Sequence, residues 1–525
     1  MVAARRRTGQ PAGARCTGTQ SARPGTARTP LGDPAVRAAW TALKATGVLA
    51  PAPLPAAAGL LWQVARHGTT LYALVAWHAQ RTPARIALSS GQGTVTFAEL
   101  QARADHVAAC LRPYTPPGAV VALPAGDDLP FVAALLAGLR LGLRLVLLPP
   151  GQDEGATARL LARLNAQALL TDDPGLAGLG VPCLSLHRSP TERFWPGWPR
   201  AGQPVLLTSG TTGEPRPVTR RVKPLAAGRL TLALLAALLP HRDAPVLLPL
   251  PLWHGHGLAT LALCLALGTR LHLCRGTPAA ELWAVMARQS TQILVLVPTL
   301  LRRLMDAPGS APSLRTVVCG SAPLDPALVR RTQTRLGPAL HNLYGSTEAG
   351  LISLATPDDL CASPDSVGRP LPGVRVRRAA DGQLQVRGLL TRQWLNTGDL
   401  GSLDGAGCLH LLGRADDLMV IGGENIWPAQ LEAALLGLPG VRACAVFPVA
   451  CADYGQRPAA FVELEPGVSA ARLQAALAAR LPRRLRPAPL TVVPELPLTP
   501  SGKVARTVLK ARLDREELTG LRSEH

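Results

Sequence analysis

The chain has 525 residues, 47% of them apolar, with 55 Lys or Arg against 34 Asp or Glu and a formal charge of +21. That length exceeds one hydrophobic core and predicts roughly two to four domains. A basic excess of this size ordinarily suggests nucleic acid, but lysine occurs only at Lys44, Lys223, Lys503 and Lys510, the arginines are scattered, and aromatics make up 3%. Without an aromatic-interleaved basic stripe a nucleic-acid partner is set aside, and the positive field suits small anionic substrates. The ten cysteines form no Cys-x-x-Cys pair, which predicts free thiols in a reducing compartment. No apolar stretch follows Arg5-Arg6-Arg7, and the longest apolar segments, Leu230–Leu239 and Leu258–Leu267, are too short to span a bilayer. A soluble cytoplasmic protein without a membrane span is expected.

Residues 1–60 are rich in Arg, Ala, Thr, Gly and Pro with little periodicity and are expected to be a disordered basic extension. Order is expected from near Leu71. Leu71–Gln80 reads as a helix, Arg85–Leu88 as a strand, and Thr94 onward as a strand edge entering a helix that ends at Leu111. Val120–Leu123 reads as a strand, Phe131–Leu141 as a helix and Leu145–Leu148 as a strand, and Leu160–Leu164, Ala168–Thr171 and Val181–Leu186 continue the alternation. Strands this rich in Val and Leu, alternating with helices, predict parallel sheets covered on both faces.

The apolar run Pro204–Leu207 reads as a buried strand. The nine residues after it, Thr208-Ser209-Gly210-Thr211-Thr212-Gly213-Glu214-Pro215-Arg216, carry four hydroxyls, two glycines and a cation. Glycines let successive N–H groups point into one concavity, hydroxyls add donors, and a guanidinium suits phosphate oxygens. The spacing is not that of a Walker A loop. A helix over Leu225–Leu239 and a strand over Val246–Leu250 lead to Trp253-His254-Gly255-His256-Gly257. A second helix is expected over Leu300–Met305. The strand Thr316–Cys319 ends in Gly320-Ser321-Ala322-Pro323, where small side chains let backbone lie flat against a ring. Asn342-Leu343-Tyr344-Gly345-Ser346-Thr347-Glu348 offers an aromatic face for a purine, a hydroxyl donor for a phosphate and a hard oxygen for Mg²⁺. Asp399 in Thr397-Gly398-Asp399 can accept from two hydroxyls of a sugar. Arg414 and Asp416 sit in a charged stretch, and Lys503 lies at the tip of a Pro/Ser/Gly turn.

In this order these stretches closely resemble the signatures of the adenylate-forming superfamily, which includes acyl-CoA synthetases, peptide-synthetase adenylation domains and luciferases. The resemblance covers about Leu71 to Arg512. It implies an α/β fold with a large N-terminal domain of two stacked, mostly parallel sheets with helices plus a small β-barrel, and a small mobile α+β C-terminal domain. The implied bounds are 61–414 and 415–515. Only a short passage separates Val374 from Trp394, so the barrel is expected to be shortened around Gly388–Thr391.

The resemblance also implies roles. Thr208, Ser209, Gly210, Thr211, Thr212, Gly213 and Arg216 would cradle the phosphates, Arg216 standing where the family usually has lysine. Gly320, Ser321, Ala322, Asn342 and Tyr344 would line the adenine, and Asp399 and Arg414 would hold the ribose. Thr347, Glu348 and Lys503 would act in catalysis with Glu348 as the Mg²⁺ ligand. His254 would shape the acyl pocket, with His256 a weaker candidate, and Asp416 would be the hinge. The implied activity is ATP-dependent activation of a carboxylic acid, a fatty acid first and an aryl acid next, followed by thioester formation with CoA. An acyl carrier protein as acceptor stays open, as does a nucleotide-binding homologue without ligase activity.

Overall fold

The computed structural model describes residues 53–520 apart from 125, 127, 151–152, 172–175, 177, 186–200, 210–214, 220–233, 235–236, 239–243, 389 and 392. Order begins earlier than the sequence suggests. Helix α1 (Pro53–His67) packs on helix α2 (Leu71–Arg81), with Trp77 Nε1 donating to the Ala56 carbonyl at 2.9 Å. Residues 53–60 are therefore helical, contrary to a disordered extension reaching residue 60. Strands β1 (Ile86–Ser90) and β2 (Gly93–Thr96) follow, then helix α3 (Phe97–Leu111). The strand stops at Thr96 because that residue caps α3. Its hydroxyl accepts from the Glu99 N–H while the Glu99 carboxylate accepts from the Thr96 N–H, a reciprocal capping box.

Parallel strands β3 (Val120–Pro124), β4 (Arg144–Leu148), β5 (Ala168–Leu170), β6 (Cys183–Leu184) and β7 (Gln203–Ser209), with antiparallel β8 (Pro215–Thr219), make one sheet in the order β6-β5-β3-β4-β7-β8. Leu160–Leu164, expected to continue the alternation, falls largely in a helix over Glu154–Arg163 that joins β4 to β5. Of the helix expected over 225–239, Leu234, Ala237 and Leu238 are helical and the rest lies outside the described residues.

The larger sheet has thirteen strands. Its central part is parallel: β9 (Val246–Leu248), β10 (Leu271–Leu273), β11 (Ile293–Leu296), β12 (Thr316–Gly320) and β13 (Leu340–Ser346). β14 (Gly350–Ala355) turns back on β13 and β15 (Ser366–Pro370) on β14. Beyond β15 the order runs β19 (Leu409–Arg414), β18 (Leu395–Leu403), β17 (Gln383–Arg387), β16 (Arg375–Arg378). These four strands are the region where a shortened barrel is expected. Among the described residues they form an open antiparallel meander continuous with the large sheet, and no barrel closes. The reason lies in β15–β19 pairing, which extends the sheet, and in too few strands for a cylinder. The connection from β17 to β18 is short, and the Gly388 N–H is taken up by Thr391 Oγ1 at 3.2 Å.

The C-terminal part is a separate α+β unit. Strands β20 (Met419–Ile421), β21 (Glu424–Ile426), β22 (Val441–Cys451), β23 (Gly455–Leu464) and β24 (Leu490–Val493) carry helices over Pro428–Leu436, Ala470–Arg480 and Arg506–Gly520. It has its own apolar core around Met419, Leu435, Val446 and Val462. The whole is a mixed α/β fold with a large N-terminal and a small C-terminal portion. Among the described residues no helix is long and apolar enough to cross a membrane.

Three histidines are held neutral by the interior. Burial, then neighbouring cations, pushes His67 and His256 down to about 4. His78 also falls to about 4, chiefly through burial, against a raising hydrogen bond to the Ala266 carbonyl. Their folded pKa values lie below the ordinary value of about 6.5, so between those limits the unfolded chain binds protons that the folded chain does not. Stability should fall as pH drops from 7 to 5. A melting temperature at pH 5 equal to that at pH 7 would contradict this assignment.

Candidate active site

The expected site residues fall at strand ends and the turns that follow them, the usual position of a ligand crevice in open α/β sheets. β7 ends in Thr208 and Ser209, and β8 brings Arg216 back beside Thr208 in register. Gly210, Thr211, Thr212 and Gly213 lie outside the described residues, as do the side chains of Thr208, Ser209 and Arg216. Next, β12 ends at Gly320, and Ser321 follows with φ of +71°, a backbone conformation unusual for a non-glycine residue. Ser321 and Ala322 are half-buried in the turn.

β13 carries Tyr344 towards Asp399 of β18. The phenol donates to Asp399 Oδ2 at 2.6 Å. Tyr344 is buried, and burial raises its pKa, reinforced by the Asp399 charge. Burial likewise raises the Asp399 pKa, opposed by the Tyr344 hydrogen bond and by Arg414. Arg414, paired in register with Asp399, lies 3.5 Å from Asp399 Oδ1. Its Nη1 also donates to the Thr397 carbonyl at 3.2 Å, and its Nε donates to Asp416 Oδ1 at 3.0 Å. Gly398 has φ of +77°, and a Cβ there would meet the Arg414 guanidinium at 2.8 Å, so glycine is required for this packing. For Asp416, burial works against the charge, but the Arg414 hydrogen bonds outweigh it and the pKa falls. One guanidinium thus serves the expected ribose carboxylate and the expected hinge carboxylate.

Thr347 is half-buried and Glu348 exposed in the turn between β13 and β14, which Ser346 Oγ braces by accepting from the Ala349 N–H at 3.0 Å. Asn342 departs from expectation. It is buried, and its Nδ2 donates to the Ser366 carbonyl at 3.2 Å, tying β13 to β15. That amide serves the sheet. Among the described residues no three His, Cys, Asp or Glu side chains cluster as a metal cage. A lone exposed carboxylate suits Mg²⁺, which keeps waters and takes its remaining oxygens from phosphates.

His254 precedes helix α4 (Gly255–Leu267) and caps it, Nδ1 accepting from the His256 N–H at 3.4 Å. Gly257 is obligatory here, because a Cβ would lie 2.1 Å from the Pro251 carbonyl oxygen. The ring that enters the interior is that of His256. It lines an apolar cavity with Ala259, Thr260, Leu263 and Cys264 of the same helix, Val246, Ile293, Val295 and Val318 from β9, β11 and β12, and Leu234, Leu238, Leu343 and Leu351. Among the described residues the cavity wall holds no charged side chain. Of the two histidines expected at the acyl pocket, His256 lines this cavity and His254 caps the helix. The helical period was the missed signal, since His256, Ala259, Thr260, Leu263 and Cys264 share one face.

Lys503 reaches this region from the C-terminal unit. Its turn closes through the Thr499 N–H to the Lys503 carbonyl at 2.7 Å and the Gly502 N–H to the Thr499 carbonyl at 2.8 Å. The Gly502 carbonyl accepts from Thr299 Oγ1, at the start of the helix Pro298–Asp306. Arg303 pairs with Glu495, and Arg442 Nη2 donates to Asp306 Oδ2 at 3.2 Å. Lys503 is half-buried, and burial lowers its pKa. Its charge adds to burial in lowering the His256 pKa.

Known proteins were compared with this arrangement. The AMP-binding enzyme family matches residues 75–388, and the AMP-binding enzyme C-terminal domain matches residues 430–503. A 2-succinylbenzoate–CoA ligase of Lactococcus lactis is 29% identical over 442 residues, covering 79% of this chain and 95% of its own length. A fatty acid–[acyl-carrier-protein] ligase of Mycobacterium marinum is 29% identical over 525 residues, with 84% and 97% covered. The structure of o-succinylbenzoate CoA synthetase from Bacillus subtilis with its acyl-adenylate intermediate superposes with a TM-score of 0.72 at 28% identity, covering 83% of this chain and 97% of that one.

The Tyr344–Asp399 hydrogen bond orients a carboxylate expected to meet a ribose. Tyr344→Phe removes one hydrogen bond to a charged group, so AMP binding measured by calorimetry should weaken by about tenfold. Unchanged AMP affinity would contradict a role for this pair in holding nucleotide.

Proposed function

The chain belongs to the AMP-binding enzyme family of adenylate-forming ligases, and from that premise we propose that it converts an apolar monocarboxylic acid, a fatty acid foremost, into its CoA thioester. In the first step a carboxylate oxygen attacks the α-phosphorus of ATP and pyrophosphate leaves, giving acyl-AMP. In the second the CoA thiolate attacks the acyl carbon and AMP leaves. ATP, Mg²⁺ and CoA are the co-reactants that this family's chemistry requires.

The residues divide the work by position. The Thr208–Arg216 turn would receive the β- and γ-phosphates, Thr347 would donate to the α-phosphate, and Glu348 would hold Mg²⁺ beside them. Tyr344, Asp399 and Arg414 would hold the nucleoside. The Lys503 ammonium, half-buried and weakly solvated, would meet charge developing on the transferring phosphoryl group. The units 61–414 and 415–515 would move about Asp416, withdrawing Lys503 before the thiol enters.

One observation carries the choice of acid. The cavity that His256 lines is walled mostly by Leu, Val, Ile and Ala side chains, with Thr260 and Cys264, and among the described residues by no charged group. A second carboxylate, as in 2-succinylbenzoate, would be buried there unpaired at a cost of several kcal/mol. An aliphatic chain loses nothing and gains about 0.8 kcal/mol for each CH₂ removed from water. An aryl monocarboxylate is the next best occupant.

AMP release from ATP, with and without CoA, across acetate, octanoate, palmitate, benzoate and 2-succinylbenzoate tests this reading. CoA-dependent AMP formation should be fastest with octanoate or palmitate and fall by about 10²- to 10³-fold in Lys503→Ala. Preference for 2-succinylbenzoate would overturn the apolar assignment. A protein that binds ATP yet turns over no acid would be a nucleotide-binding homologue without ligase activity. Acid-dependent AMP formation only with an acyl carrier protein present would reassign the acceptor.

A further inference from the structure

Helix α1 is turned inside out. Its polar side chains Gln63 and His67 are buried, 5% and 7% exposed, and Gln63 Nε2 donates to Gln80 Oε1 of α2 at 3.4 Å. Its large apolar side chains face outward: Leu54 is 82% exposed, Leu61 69% and Trp62 50%. Ala58 and Ala65 are exposed with them. At 3.6 residues per turn these five positions fall within about 100° of the helix circumference and make one continuous stripe. Single exposed apolar residues are ordinary on a protein surface, but a contiguous stripe opposite buried polar groups marks an interaction face. The Arg66 guanidinium lies over the Trp62 ring, 5.1 Å from its centroid, at the edge of that stripe. Helix α1 ends before residue 75, where the match to the family begins, so the ligase chemistry does not account for this face.

Charge says what covers the stripe. From Met1 to Ala98 the sequence holds eleven Lys or Arg and a single acid, Asp33, which is +10 of the chain's +21. Helix α1 itself has no acidic residue. An apolar stripe bearing an indole and a guanidinium, set in a stretch of one sign of charge, matches a surface that is negative outside and apolar beneath. We propose that α1 docks on an anionic lipid bilayer, with Leu54, Leu61 and Trp62 entering between the headgroups while Arg66 and the basic residues that precede α1 meet lipid phosphates. Nucleic acid would take up the charge and leave the Leu and Trp side chains in water. A second copy of this chain would bring like charge against like. The docking is peripheral, because the other face of α1 stays packed on α2 through Ala56 and Trp77. It is independent of the ligase reading.

Sedimentation of the full chain with vesicles tests this face. Vesicles of phosphatidylcholine mixed with phosphatidylglycerol should carry the chain down. Phosphatidylcholine alone should bind it about tenfold more weakly or worse, since each basic residue at an anionic surface is worth about fivefold, and high salt should release it. The triple variant Leu54→Gln, Leu61→Gln, Trp62→Gln should lose about tenfold or more in affinity for the mixed vesicles. Its melting temperature should not change, because all three side chains are exposed. Trp62→Gln alone, a gentler change, should lose a smaller part of the same affinity. Equal binding of the wild type and the triple variant would leave charge alone as the cause and would overturn the proposal. So would equal binding to both kinds of vesicle, or a full chain that stays in solution beside the mixed vesicles. Self-association of the wild type that disappears in the triple variant, without vesicle binding, would overturn it in favour of a second copy.

Discussion

In the proposed ligase reading, a single ammonium is carried from one folding unit into the cleft of another. The Thr299 hydroxyl on the Gly502 carbonyl is the contact nearest to that requirement. It holds backbone, so the position of the Lys503 turn is independent of what its side chain touches. The ion pairs around it, Arg303–Glu495 and Arg442–Asp306, are peripheral and partly exposed, and such pairs contribute little to net stability. They set the approach of the two units and leave it reversible. If the lysine departs as proposed, a few directional polar contacts serve it better than a large apolar interface.

The receiving side is built differently. Strands β9, β11 and β12 are buried on both faces, and α4 lies across them with an almost wholly apolar inner face. Such a wall is rigid and unreactive. Among the described residues polar groups meet it through His256 and Thr260, with Ser321 behind the His256 ring; the Tyr344–Asp399–Arg414 chain is a second polar cluster. Each polar group there is fixed by a second one: Ser321 by its backbone turn, His256 by Ser321, Asp399 by Tyr344 and Arg414. Positioned donors in an apolar surrounding act more strongly than the same groups in water.

Much of this was legible in the chain. Strands rich in Val and Leu, such as Val120–Pro124 and Ile293–Leu296, announced themselves by composition, and Thr96 with Glu99 marked a helix start. The ordered motifs grouped Tyr344, Asp399 and Arg414, which the structure brings into contact. Pairing between distant segments was not legible. That β15 joins β19, leaving an open meander in place of a barrel, depends on register across more than forty residues. The α1 helix escaped because its alanines and leucines show no sharp polar face, and it is held by tertiary contact with Trp77. The order of importance of His254 and His256 followed from motif likeness. On a helix, residues two apart point some 200° apart, and geometry assigned one to the cap and the other to the cavity.

The open meander ends on β16, whose Arg375, Arg377 and Arg378 are exposed beside unpaired backbone. Arg377 and Arg387 both lie over the Trp394 ring, with guanidinium carbons 4.3 and 5.2 Å from its centroid, so the aromatic surface at this edge is already covered. A second copy adding its own β16 would set arginine against arginine across a spacing of about 5 Å, where like charges repel. The ribbon that fails to close on itself therefore also refuses a neighbour, and it guards a thirteen-stranded sheet against growing into a fibre.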